Sequence, residues 1–140
     1  MLDRYWTPIM ESTLIDKKRC TRELKEGTPF YNAIRTADDK VCYNGKTYTD
    51  FIDLWEDTTG LSKDDVGYLC ANRDCPNGDD IMAYDLQGAH IVLGKPIGSI
   101  QKGDRFCIVP LCPSCNHHTN RSKMILRYDV DAPVLIWDGK

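Results

Sequence analysis

No apolar run in the chain approaches the roughly 20 residues that a membrane-crossing helix needs. The first residues, MLDRYWTPIMEST, lack a basic segment followed by an apolar stretch. Neither a membrane span nor a secretory leader is expected, and a reducing, cytoplasmic setting is the expectation for the seven cysteines. Excess positive charge is lacking too. The net charge is −3 and the isoelectric point is near 5.5, far from the values above about 9 that mark proteins gripping nucleic acid by bulk electrostatics. There is no internal repeat and no low-complexity linker, and only three histidines.

The chain has 140 residues, room for one domain or two very small ones. An apolar content of 41% with 28% charged side chains describes an ordinary globular composition. Charge is unevenly placed. Residues 1–65 carry 10 basic and 13 acidic side chains, residues 66–128 carry 7 and 5, and residues 129–140 carry 1 and 3. A slightly basic segment is thus flanked by acidic ones, which permits a local phosphate contact without demanding one. The run KKRCTR, Lys17 to Arg22, is the densest basic patch, and on a helix such a run is usually a solvated face.

Four cysteines stand in two close pairs. Cys70 and Cys75 have four intervening residues, and Cys112 and Cys115 have two. Zinc favours four tetrahedral ligands, and a pair spaced by two to four residues places both sulfurs on one ion through a tight turn. Two such pairs supply four ligands and no remainder. A disulfide pair or four buried thiols are the alternatives, and the paired spacing without a visible leader argues for metal. Cys70, Cys75, Cys112 and Cys115 are therefore the candidate ligands of one structural Zn²⁺. Cys20, Cys42 and Cys107 are left as reduced thiols behaving as small apolar residues.

The local patterns predict elements around that centre. Tyr5, Trp6, Ile9 and Met10 suggest an ordered N-terminal arm. Ser12 to Glu26 reads as a helix, with Ser12 or Thr13 as cap, Gly27 as terminator and Pro29 barring continuation. Phe30 to Thr36 is ambiguous. Val41 to Tyr48 is a hairpin, because Asn44-Gly45 suits a two-residue turn with both residues at positive φ. FIDLWEDTT follows as a helix whose Phe51, Leu54 and Trp55 share one face, capped by Thr49 or Asp50 and ended by Gly60. Ile81 to Leu86 reads as a strand with Ala89 to Leu93 as its partner, with Gly88 near the turn between them. Arg105 to Leu111 and Val134 to Trp137 are further strands. Pro113 suits the first turn of a weak helix carrying the second cysteine pair. The expected class is α+β: a helix–hairpin–helix part over residues 1–65 and a zinc-bound module over residues 66–140, with Ser62–Asp65 as the boundary.

Zinc knuckle, hairpin, and a helix with the second pair at its start make a treble clef. The residues resemble the zinc-bound HNH endonucleases. The matching pieces are Cys70 and Cys75, then Gly88-Ala89-His90, then Leu111-Cys112-Pro113-Ser114-Cys115-Asn116, about 60 residues in all. The NGKTY hairpin and the helix after it also look like small modules attached to DNA-modifying proteins. The HNH resemblance implies His90 as general base, activating a water beside one divalent ion, with Asn116 and His118 as further candidate catalytic residues. If the site is catalytic, that second ion is Mg²⁺, Mn²⁺ or Ni²⁺. The pattern is degenerate. Where the family has Asp before the histidine this chain has Ala89, where it has Asn the chain has Cys107, and where it has His after the last cysteine the chain has Asn116. Mg²⁺ relies on one or two carboxylates, and the adjacent His117 and His118 would suit a softer ion.

The expected function is therefore a non-catalytic, zinc-stabilised HNH-like binding protein. Its partner is DNA, RNA or a protein that handles them, as for an accessory or inhibitor protein of a phage or mobile element. The alternative is an active metal-dependent endonuclease using His90, and a purely structural assembly role is a third class.

Overall fold

The computed structural model describes residues 5–8, 21–33, 40–78, 85–94, 101 and 103–137. Among the described residues mixed α and β structure is present, mostly strands with one α-helix. The strands are β1 (Tyr5–Pro8), β2 (Thr21–Leu24), β3 (Pro29–Asn32), β4 (Lys40–Tyr43), β5 (Lys46–Tyr48), β6 (Gln87–Leu93), β7 (Arg105–Leu111), β8 (Met124–Ile125) and β9 (Val130–Ile136). The helix, α1, spans Phe51–Thr59. The sheet order is β5-β4-β1-β9-β7-β6-β3-β8, with β2 also paired to β9. Among the described residues only the β1–β4 pairing is parallel.

Local signals are obeyed where they are strongest. Asn44 and Gly45 both take positive φ, 54° and 80°, so β4 and β5 pair with Val41 opposite Tyr48. Asp50 caps α1 by accepting from the Ile52 N–H at 3.2 Å, and Gly60, at φ 73°, ends it. The buried face is Phe51, Ile52, Leu54 and Trp55. It packs on β6, β7 and β9, and the Trp55 Nε1–H donates to the Asp131 carbonyl at 2.9 Å. Phe30, Ile91, Phe106, Ile108, Leu111, Met124 and Leu135 fill the core beside it.

Two expectations need correction. Residues 12–20 of the anticipated N-terminal helix lie outside the described residues, but its last part is not helical. Thr21–Leu24 is β2, antiparallel to β9 with Leu24 opposite Val130. Arg, Glu and Leu are good helix formers, and the pairing overrides that preference because Leu24 gains a buried place. Most of Ile81 to Leu86 lies outside the described residues. Among the described residues the neighbours of β6 are β7 and β3.

The second correction concerns the helix after Pro113, which does not form; residues 113–119 are turns. In a helix the Cys115 carbonyl would accept from the Thr119 N–H. Here it accepts instead from the side-chain amides of Asn32 and Asn120, both at 2.8 Å. The Thr119 N–H turns to His117 Nδ1 at 3.2 Å. Asparagine side chains compete with the backbone in this way, which makes the residue a poor helix former. The treble-clef helix is therefore absent from this stretch.

β3 lies before the anticipated boundary at Ser62–Asp65 and pairs with β6 and β8, which lie after it. A short 3₁₀ turn, Lys63–Val66, occupies the boundary stretch itself. The helix approaches the sheet very closely at Gly88. A Cβ there would come within 2.2 Å of the Phe51 carbonyl carbon and 2.3 Å of the Ile52 nitrogen. Both are backbone atoms, so relief requires moving α1. Gly88→Ala should lower unfolding free energy by about 3 kcal/mol or more, at the upper end of overpacking effects. Chemical denaturation of the variant measures it, and a loss below about 1 kcal/mol would contradict this packing.

Candidate metal centre

Two turns carry the cysteines, and each is tied to strands distant in sequence. The first, Cys70 to Cys75, hangs from the end of β7 through Ala71 N–H to the Pro110 carbonyl at 2.8 Å. Its other side is held by Arg73 N–H to the Ile125 carbonyl and Arg127 N–H to the Ala71 carbonyl, at 2.8 and 2.7 Å. The Arg127 guanidinium reaches back over it, donating to the carbonyls of Cys70, Asn72 and Gly78. The second turn, Cys112 to Cys115, continues directly from β7, and the Asn32 amide of β3 pins the Cys115 carbonyl.

The four sulfurs meet. All lie within 4.8 Å of one another and all four residues are buried. Four thiolates at about 2.3 Å from one zinc stand about 3.8 Å apart, so the cluster has the dimensions of a tetrahedral all-thiolate zinc site. Cys75 Sγ and Cys112 Sγ are 3.5 Å apart, and none of the four is in a disulfide. N–H groups point at the sulfurs, as suits thiolates. Cys112 N–H donates to Cys70 Sγ at 3.3 Å and Cys115 N–H to Cys112 Sγ at 3.4 Å. Asn72 donates its side-chain amide to Cys115 Sγ at 3.4 Å, and Asn77 aims its amide at Cys112 Sγ at 3.8 Å.

The donor set also suits a dication electrostatically. Hydrogen bonds from Cys70, Asn72 and the other sulfurs pull the Cys115 thiol down to about 5. A shared hydrogen bond with Cys115, then burial, pushes Cys70 well up, and burial pushes Cys112 up to about 11. Cys70 and Cys112 are thus held toward the neutral thiol, while Cys115 is held toward the thiolate. A bound dication reverses that balance and deprotonates its thiol ligands outright. The residues present fit zinc as a structural ion with a closed ligand set.

His90 is in a different environment. It sits mid-strand in β6, opposite Ile108 of β7, and is 7% exposed. The Phe51 ring of α1 meets its imidazole edge to face at 4.2 Å, and the Phe106 ring lies at 5.0 Å. Burial pulls its pKa from 6.5 down to about 3. Asn116 and His118 lie on the turns after the second cysteine pair. Asn116 donates to Gln87 Oε1 at 2.9 Å, while His118 is exposed with its ring 4.3 Å from that of His117. Phe51 and Phe106 are the ring neighbours of His90, and His117 is that of His118. Of the anticipated site residues, then, the structure brings together the four cysteines.

Sequence reasoning missed Asn32, Asn72, Asn77 and Arg127, which orient the turns and the sulfurs. Asparagine two residues after each cysteine of the first pair was the available signal, since its side chain readily bonds nearby backbone. Asn72 does so, accepting from the Asp74 N–H at 3.1 Å. Of the remaining thiols, Cys107 is buried and pushed up to about 11, chiefly by desolvation, and Cys42 is half-buried. Among the described residues no helix is long and apolar enough to cross a membrane. No family model, curated protein or solved structure matches the chain.

Elemental analysis of the purified protein should find one zinc per chain. Cys112→Ser should lose it, and chelation should collapse the far-UV spectrum of the β6–β9 region, since zinc binding in such modules contributes on the order of 10 kcal/mol of folding free energy. An unchanged spectrum after complete metal removal would contradict the assignment. A second expectation concerns acid. The unfolded imidazole of His90 binds a proton near pH 6.5, whereas the folded one does so only near 3. Its contribution is thus full above pH 6.5 and is lost as pH falls toward 3, at roughly 1.4 kcal/mol per pH unit. His90→Phe should flatten that limb of the stability profile; identical acid limbs for the two proteins would refute it.

Proposed function

We propose that this protein is a zinc-stabilised binding protein on an HNH-like scaffold and that it does not cut phosphodiesters. Its partner in this reading is nucleic acid or a protein that handles nucleic acid. Such a role suits an accessory or inhibitor protein of a phage or mobile element, for which a short, acidic, metal-stapled chain is sufficient.

The observation that carries the non-catalytic reading is the burial of His90 against Phe51 and Phe106. A general base must reach, within about 2.6–3.2 Å, the proton it abstracts, directly or through one water. A 7% exposed imidazole whose pKa is near 3 is poorly matched to that work at neutral pH. Ala89 beside it offers no oxygen for a hard cation. The resemblance to the HNH frame rests on the cysteine spacing and on His90 lying in the strand that leads, through β7, to the second pair. The absence of a helix after Cys115 departs from that frame and weakens any catalytic use of it.

Plasmid DNA incubated with the zinc-loaded protein and Mg²⁺, Mn²⁺ or Ni²⁺ should stay intact beyond the background of metal alone. The His90→Ala variant, checked for native circular dichroism, should behave identically. Cutting by the wild type that disappears in His90→Ala would establish an active endonuclease and end the binding-only reading. Affinity capture from nucleic-acid-containing lysate, with sequencing and mass spectrometry of what is retained, identifies the class of partner.

A further inference from the structure

We propose that the turns Asn116–Lys123 form the surface that contacts the phosphate backbone of a nucleic acid. This deepens the reading above and rests on its nucleic-acid arm. Between Asp104 and Asp129 the chain has no acidic side chain, while Arg105, Arg121, Lys123 and Arg127 are all basic. Arg127 is committed to the first cysteine turn. Arg121 and Lys123 are exposed and join none of the ion pairs among the described residues, which are Lys25–Glu23, Lys46–Asp57 and Arg73–Asp74.

Among the described residues no acidic side chain forms an ion pair with these cations. Four of the acidic side chains around α1 are occupied locally. Asp50 caps the helix, Asp57 accepts from the Tyr48 hydroxyl, Glu56 accepts from the Lys63 N–H, and Asp65 closes on Ser62. The overall charge of −3 therefore hides a cationic, hydrogen-bonding segment. Exposed His117, His118, Thr119 and Ser122 on the same turns add polar groups of the kind that bind phosphate oxygens.

The segment is also held in shape before any partner arrives. Cys115 anchors one end in the sulfur cluster and buried Met124 anchors the other. Between them the Asn32 amide ties the Cys115 and Asn120 carbonyls, at 2.8 and 3.0 Å, and Asn120 Oδ1 accepts from the Ser122 N–H at 3.1 Å. Prior ordering reduces the entropy lost on binding. It also makes the cationic surface dependent on the metal, because its first anchor is a metal ligand.

The test is fluorescence anisotropy of the zinc-loaded full chain with labelled single-stranded DNA, duplex DNA and RNA across a salt series. Poly-glutamate serves as a non-nucleic polyanion. The double variant R121Q/K123Q should weaken binding at least ~10-fold and make the log–log salt slope shallower by about 1 to 2. The double variant K25Q/K46Q removes the same net charge from paired lysines and should bind like wild type. Equal losses in both double variants would reduce the effect to overall charge and overturn the assignment, as would unchanged binding in R121Q/K123Q with zinc content intact. Poly-glutamate binding as tight as the oligonucleotides would assign the surface to acidic proteins instead. Failure of the metal-loaded wild type to bind any oligonucleotide would remove the nucleic-acid arm of the proposed function, and this surface with it.

Discussion

The C-terminal half depends on four sulfurs held around one point. Neither cysteine turn has extended structure of its own. The first borrows backbone partners from Pro110, Ile125 and Leu126–Arg127, and the second borrows Asn32. Bringing them together fixes the end of β7 against the β8 segment and β3. A structural zinc contributes on the order of 10 kcal/mol, comparable with the roughly 5–15 kcal/mol of net stability typical of a whole domain. Without a dication, the hydrogen bond shared with Cys115 and burial hold Cys70 toward the neutral thiol, and burial does the same to Cys112. The hydrogen bonds from Asn72, Asn77 and the backbone N–H groups are directed at charged sulfur, and they are most favourable when all four are thiolates.

What could be read from the sequence was short-range. The cysteine pairs specify their own turns. Asn44-Gly45 specifies a hairpin, and Asp50, Gly60 and the Phe51–Leu54–Trp55 spacing specify a helix, because each signal acts within a few residues. What could not be read was long-range pairing. Thr21–Leu24 looks helical alone and becomes a strand only because β9, more than 100 residues later, offers an edge. Residues 113–119 looked like a weak helix because Pro113 suits a first turn, but the side chain that takes the Cys115 carbonyl comes from β3. The environment of His90 was equally hidden. Its position on a strand was legible, whereas its cover, Phe51, comes from a helix some 40 residues earlier.

The packing at β6 links two features that the sequence presents separately, the missing carboxylate and the buried histidine. Gly88 lies against the backbone of α1, so this stretch of the strand has no room for a side chain on that side. His90, two residues on, shares the face and is enclosed by the same helix. Ala89 faces the other way and is fully buried. A carboxylate in its place would be an unpaired charge in the core, which is strongly unfavourable. A metal-activated water needs a wet cleft lined by oxygen ligands, whereas here both faces of the strand are used for packing. Past the second cysteine pair the turns stay polar and exposed, because their asparagines hold the backbone out of a helix. Sulfur cluster, covered strand and polar turns thus describe one arrangement, in which the four cysteines fix the turns and His90 packs into the core.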